Sequence, residues 1–223
     1  MNDVIPGPVF QPLKRHLALH RNRAEGGWEA GSAEEDTLTG HLGAELQRDW
    51  SRTYRADGQQ WRWRVRYKKF RGRGPGAFES VAGADGIIQI EVIRATDSIY
   101  KGILFQAKKK AIRRDRELVE QVQKMERLAR GCSAVFEYAP DAYRVVTGRS
   151  FLEELNEPRT RGRDTLRLGT FLADAFLPCS AGIRGMYYDA VRQILLIPED
   201  GQLKVMHVEL GHRIAVEVES QPI

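Results

Sequence analysis

The stretch from Glu79 to Lys110, ESVAGADGIIQIEVIRATDSIYKGILFQAKKK, most restricts what this chain can fold into. Ile87, Ile88, Ile90, Val92 and Ile93 form a β-branched run, the segment Ala95 to Ser98 breaks it, and Gly102 to Ala107 resumes it, so a β-hairpin is expected. Asp85 enters the first strand, and Gln106 and Lys108 leave the second. Side chains alternate across a strand, which puts Gln106 and Lys108 on one face and Ile103, Phe105 and Ala107 on the other. One carboxylate, one amide oxygen and one ammonium are thereby expected at one end of two paired strands.

Periodicity supplies the elements around the hairpin. From about Ala33 to Trp50, leucines 38, 42 and 46 recur at every fourth position and predict a helix. At about 100° per residue, Glu35 falls within about 20° of Leu42 and Leu46, whereas Glu34 sits well off that face. Ser32 and Glu35 also have the spacing of a capping box, which is a purely structural reason for an acid there. From Trp61 to Arg73, WRWRVRYKKFRGR holds seven basic residues and no acid. Strand alternation would place Arg62, Arg64, Arg66 and Lys68 on one face and Trp61, Trp63, Val65 and Tyr67 on the other.

A glycine-rich loop, Gly72 to Ala77, follows that strand without the spacing or the GK[ST] ending of a P-loop. Glu79 lies six residues ahead of Asp85 and would add a carboxylate if the loop folds back. After the hairpin comes a second basic cluster, Lys108, Lys109, Lys110, Arg113, Arg114 and Arg116. Leu118, Val122, Met125 and Leu128 then stripe a helix from Asp115 to Arg130, with Gln121 on the same face. An inward glutamine needs partners, and a place behind the second hairpin strand would supply them; the alternative is an amide at the edge of the stripe with its head in water. Ser133 to Tyr138 and Tyr143 to Thr147 read as further strands. The last third holds a helical stretch near Phe151 to Leu155, a basic loop at Arg159 to Arg163, a helix at Thr165 to Leu177, and strands near Ile194 to Ile197 and Val205 to Val218.

At Gly83-Ala84-Asp85, followed after twenty residues by Gln106-Ala107-Lys108, the chain resembles the PD-(D/E)XK nuclease superfamily in its GxD…QxK variant. The order helix, strand, strand, strand, helix, strand is also that of the family's common core. The resemblance implies an α/β, restriction-endonuclease-like αβββαβ core over residues 31–148, with a mixed central sheet flanked by helices. A leader of uncertain structure (1–30), with a short helical candidate at Leu13 to Arg21, and an α+β C-terminal extension packed on the core (149–223) would complete the chain. It implies further that Asp85, Gln106 and the Ala107 carbonyl hold Mg²⁺ or Mn²⁺, and that Lys108 faces the attacking water. Many such nucleases carry an acid on the first helix that reaches the metal. Glu35 is thus a candidate ligand as well as a candidate cap, with Glu79 and Gln121 as supporting residues.

The function implied is metal-dependent hydrolysis of phosphodiester bonds, with DNA as the expected substrate, in bacterial restriction or phage defence. Such nucleases often work with a separate sensor or motor protein, and a homodimer is equally compatible. The rival reading is a non-catalytic nucleic-acid-binding or assembly subunit that keeps the fold. A net charge of +5 and a pI near 9.3 favour a polyanionic partner. Arg62, Arg64, Arg66, Lys68, Lys109 and Lys110 are the residues expected on phosphates.

Other classes find little support. No apolar run of about eighteen residues is present to span a membrane, and the first ten residues lack the basic start and apolar run of a signal peptide, so a cytoplasmic protein is expected. Cys132 and Cys179 stand far apart without a CxxC partner and read as reduced thiols. His16 and His20 share a helix spacing but no third ligand, and read as surface histidines. His207 and His212 differ in parity on one strand, which argues against a zinc site with Glu209. No Ser-His or Cys-His constellation suggests a small-molecule hydrolase.

Overall fold

A computed structural model describes residues 1, 3–26, 28, 34–70, 78–109, 115–156 and 165–223. The first helix, α1 (Gly7–Gly26), occupies most of the expected leader. It is no loose tail, because Val9, Leu13 and Leu17 are buried in the main core with Leu38, Leu42 and Leu46 of α2 (Glu35–Leu46). Each leucine so buried contributes about 1.5–3 kcal/mol. His16 corrects the surface reading: it is 5% exposed, its Nε2 lies 2.9 Å from the Leu46 carbonyl, and its ring tilts against Trp63. The side chain of His20 lies outside the described residues.

Two strands follow. β1 (Tyr54–Ala56) and β2 (Gln59–Lys69) are joined at Asp57 and Gly58, whose φ values of 51° and 70° meet the requirement of a type I′ hairpin turn. The alternation read from the sequence is seen in β2, where Trp61, Trp63 and Val65 are buried. A short helix α3 (Phe78–Ala82) leads into β3 (Gly86–Ile93) and β4 (Ser98–Lys109), the expected antiparallel hairpin, with Ile88 opposite Ile103 and Ile90 opposite Lys101. Helix α4 (Arg116–Leu128) begins at Asp115, whose side chain caps the amides of Glu117 and Leu118. β5 (Ser133–Tyr138) runs parallel to β4, β6 (Tyr143–Thr147) turns back on it, and helix α5 (Gly148–Asn156) follows.

The last third departs most from expectation. The segment 165–177 is not one helix but β7 (Leu166–Arg167), one helical turn α6 (Leu168–Thr170) and a π-helix (Phe171–Phe176). β8 (Ile183–Arg184) pairs with β4, whereas β9 (Tyr187–Asp189), β10 (Ile194–Glu199) and β11 (Gln202–His207) form a separate antiparallel sheet. Asp200 and Gly201, both at positive φ, make the second two-residue hairpin turn. The expected strand from 205 to 218 is split, and its second part is β12 (His212–Pro222).

β12 is not an appendage on a core formed by residues 31–148. It lies between β2, to which it is antiparallel, and β3, to which it is parallel. Burial on both faces explains the position: Ile214, Val216 and Val218 enter one apolar layer, while Arg213 and Glu217 are buried on the other face. Among the described residues the result is an α/β protein with a mixed nine-stranded sheet in the order β1-β2-β12-β3-β4-β5-β6-β7, with β8 beside β4. One face packs on α1 and α2, and the other on α4, α5 and the small sheet. Among the described residues no helix is long and apolar enough to cross a membrane.

Candidate active site

Backbone geometry sets Asp85 before any side chain is considered. Gly83 has φ +71°, and a Cβ there would lie 2.6 Å from Gln121 Cα, so only glycine lets the chain turn against α4 and enter β3. Gly211 plays a matching part on the far side, where a Cβ would come within 2.7 Å of the Asp85 carbonyl. That carbonyl accepts the His212 amide at 3.0 Å, and the Gly211 carbonyl accepts the Phe70 amide at 2.8 Å. The ends of β2, β3 and β12 are thus tied together around Asp85.

These ends and the start of α2 enclose a cavity of about 200 Å³. Four expected residues line it: Asp85, Gln106, Lys108 and Glu35; Glu79 from α3 lines it as well. Asp85 Oδ2 accepts the Ala107 amide at 2.7 Å. Burial pushes the Asp85 carboxyl up to about 7, the charge of Glu79 adding to the effect while the Ala107 amide, Lys108 and Gln106 oppose it. Gln106 is 2% exposed, and its Oε1 has no hydrogen-bond partner among the described residues. Lys108 Nζ stands 3.9 Å from Glu35 Oε2, with only 17% of its side chain exposed.

Glu35 is the first residue of α2 rather than its third, with Glu34 at the cap position making no side-chain bond. That removes the capping-box geometry, and Ser32 lies outside the described residues. Glu35 Oε1 instead accepts the Lys109 amide at 2.9 Å, joining α2 to the end of β4. Gln121 is buried behind the cavity and donates to Glu79 Oε1 at 3.1 Å. Its own Oε1 has no partner among the described residues, so half of the expected partnering is present.

The basic stripe on β2 has the predicted alternation but not the predicted freedom. Register places Glu219 opposite Arg62 and Glu217 opposite Arg64. Arg62 binds Glu219 at 2.8 Å, Arg64 Nε binds Glu217 at 2.5 Å, and Arg66 lies 3.6 Å from Glu217. Arg62 and Arg64 also stack on Trp50, each 4.3 Å from a ring centroid. Pairing with β12 therefore absorbs three cations expected on phosphates. Lys68 is exposed and covers Phe70. Lys110, Arg113, Arg114 and the loops at 72–77 and 159–163 lie outside the described residues.

Among the other residues that line the cavity, three carry ionisable side chains that periodicity did not single out as site residues: Asp36, Lys69 and His212. His212 is 3% exposed, with Nδ1 2.9 Å from Tyr67 Oη and Nε2 2.9 Å from Asp36 Oδ1. Since a carboxylate only accepts, Nε2–H donates to Asp36 and Nδ1 accepts from the Tyr67 hydroxyl. Burial opposes ionisation at Asp36, but Lys69 and His212 outweigh it and hold the carboxyl below its usual range. Burial also lowers the His212 pKa against the pull of Asp36. His207 ends β11 and His212 begins β12, so the two do not share a strand and the parity argument does not apply to them; nor does parity carry information on what β12 lands beside.

Among the described residues, no group of three or more His, Cys, Asp and Glu side chains is placed to hold a metal ion. The oxygen set of this cavity is mixed, a half-buried carboxylate beside a buried amide oxygen that has no donor among the described residues. Such a pair suits a hard divalent cation, which takes carboxylate, amide and carbonyl oxygens and keeps several waters. Compared with known proteins, the chain matches no family model, no curated protein and no solved structure.

Proposed function

We propose that this protein is a divalent-metal-dependent nuclease of the restriction-endonuclease-like type, hydrolysing phosphodiester bonds in nucleic acid, with DNA as the favoured substrate. The observation that carries the reading is the meeting of Asp85, Lys108, Glu35 and the Gln106 oxygen, which has no partner among the described residues, in one cavity at the ends of β3 and β4. Asp85 and Gln106 are the residues assigned to Mg²⁺ or Mn²⁺, with Glu35 and the Ala107 carbonyl completing the oxygen set. A cation of this kind lowers the pKa of its bound water and stabilises charge building on a phosphate.

The chain's own groups do the rest. The Ala107 amide fixes one Asp85 oxygen. Glu35 stands beside Lys108 at the cavity wall, and that ammonium can orient water or balance the negative charge of a pentacoordinate phosphate. Glu79 and Gln121 support the acid side of the cavity. On this reading the protein acts in the cytoplasm in restriction or phage defence, with a sensor or motor partner or as a homodimer.

The test is incubation of the purified protein with supercoiled and linear DNA, and in parallel RNA, in Mg²⁺ or Mn²⁺ and in chelator. Asp85→Ala and Lys108→Ala should each abolish cleavage while circular dichroism stays that of the wild type. Equal cleavage by variant and wild type would end the assignment. Binding without cleavage in every condition would favour the non-catalytic reading.

A further inference from the structure

Lys69 ends β2 on the wall of the same cavity. Its ammonium lies 2.5 Å from Asp36 Oδ2, and its side chain is 52% exposed. Behind it runs an ordered relay: Asp36 Oδ1 accepts from His212 Nε2, and His212 Nδ1 accepts from the Tyr67 hydroxyl. Tyr67 and Lys69 both belong to β2, Asp36 to α2 and His212 to β12. The His212 amide also donates to the Asp85 carbonyl, so the relay is anchored to the backbone of the principal acid.

An exposed ion pair contributes about 0–1 kcal/mol and needs no buried histidine to orient it. Here a fully enclosed imidazole and a tyrosine hydroxyl fix a carboxylate whose outer oxygen faces a half-exposed ammonium. The arrangement makes sense if the position of that ammonium matters. Among the described residues Asp36 takes one of the three N–H groups of Lys69, which leaves the others for an incoming acceptor. By contrast, Arg62, Arg64 and Arg66 are committed to Glu219 and Glu217.

We propose that Lys69 is a substrate-binding residue of this cavity, holding a backbone phosphate of a nucleic-acid strand next to the phosphate that is cut. Asp36 and His212 are positioning residues that fix it there. The inference rests on the nuclease reading above and extends it to one particular contact.

The experiment uses duplexes in which one phosphate at a time, on either side of the mapped cleavage point, is replaced by a neutral methylphosphonate. Affinity is measured by fluorescence anisotropy in an Asp85→Asn background that prevents cleavage. One position should cost that background about tenfold in affinity, the scale of a charge-assisted hydrogen bond. Adding Lys69→Gln should remove the sensitivity at that position alone and flatten the slope of log affinity against log salt by about 0.9. Lys69→Arg should restore it, and Asp36→Asn should weaken it severalfold without touching the other positions, which a merely structural role would not do. Identical position profiles with and without Lys69 would overturn the proposal. A wild-type protein that neither binds nor cuts nucleic acid would instead refute the nuclease reading, so the two failures are distinct.

Discussion

Replacing Asp85 by Asn should stabilise the metal-free protein above neutral pH while abolishing its activity. The carboxyl of Asp85 is held at about 7, against an ordinary value of 3.8, chiefly because burial disfavours its charge. A folded-state pKa raised in this way contributes stability that is fully present below about pH 4 and is lost as pH rises through about 7. The gap is about 3 units, and at about 1.4 kcal/mol per unit the ceiling is about 4 kcal/mol. Asp85 is incompletely buried, so about 2–4 kcal/mol is the working range. The amide of the Asp85→Asn variant keeps an oxygen for the Ala107 N–H and carries no charge at any pH. In urea titrations with chelator, the stability of Asp85→Asn minus that of wild type should therefore grow by about 1–3 kcal/mol between about pH 5 and pH 8.5, the rest of the difference having already developed between about pH 4 and pH 5. Saturating Mg²⁺ at the higher pH should recover the wild type, by about 2.7 kcal/mol at one hundred times its dissociation constant, and leave the variant unmoved. Parallel pH curves for the two proteins, or equal stabilisation of both by Mg²⁺, would refute the reasoning.

Glu35→Gln keeps an acceptor for the Lys109 amide, so its melting temperature should stay close to wild type while Mn²⁺ affinity and cleavage fall together; calorimetric titration with unchanged affinity would remove Glu35 from the metal set. Arg64→Ser should act on stability more than on binding, because it strips a partner from the buried Glu217, at a cost of about 2 kcal/mol. Urea unfolding checks the loss, and a large drop in the salt dependence of DNA affinity would show that Arg64 reaches phosphate after all.

What the sequence disclosed is what local periodicity encodes. The β3–β4 hairpin follows from a β-branched run broken by turn residues, the faces of β2 from strict alternation, and the inward turn of Glu35 from leucines at every fourth position. Gln106, Lys108 and Glu35 could be placed on a face because each sits within an element whose phase is locally determined, and Asp85 because it stands directly before β3; their roles come from the resemblance of GxD…QxK to the PD-(D/E)XK nucleases. Asp36, Lys69 and His212 could not be nominated, because they meet only when β12 enters between β2 and β3, a pairing that joins Ile214 to Tyr67 and to Ile88. The same pairing explains why the basic stripe was read as free: its counter-ions lie about 150 residues away in the chain. The sequence signal of helix α1 is weak because Pro8 and Pro12 lower its helical propensity: Pro8 falls in the first turn, where Pro is tolerated, whereas Pro12 lies inside the helix and is carried by the packing of the buried leucines.

The place of β12 in the sheet also governs the order in which this molecule can come together. Until that strand inserts, β2 and β3 each present an unpaired edge, and the closure that joins them spans more than one hundred residues of chain. Contacts so distant in sequence form slowly, and any species in which β12 has not inserted carries two open edges able to pair with other copies. In that species the amide of His212 has not reached the carbonyl of Asp85, and the cavity has no floor on that side. Closure of the cavity therefore waits on the insertion of β12, and a molecule without that insertion exposes unpaired edges while its cavity is still open.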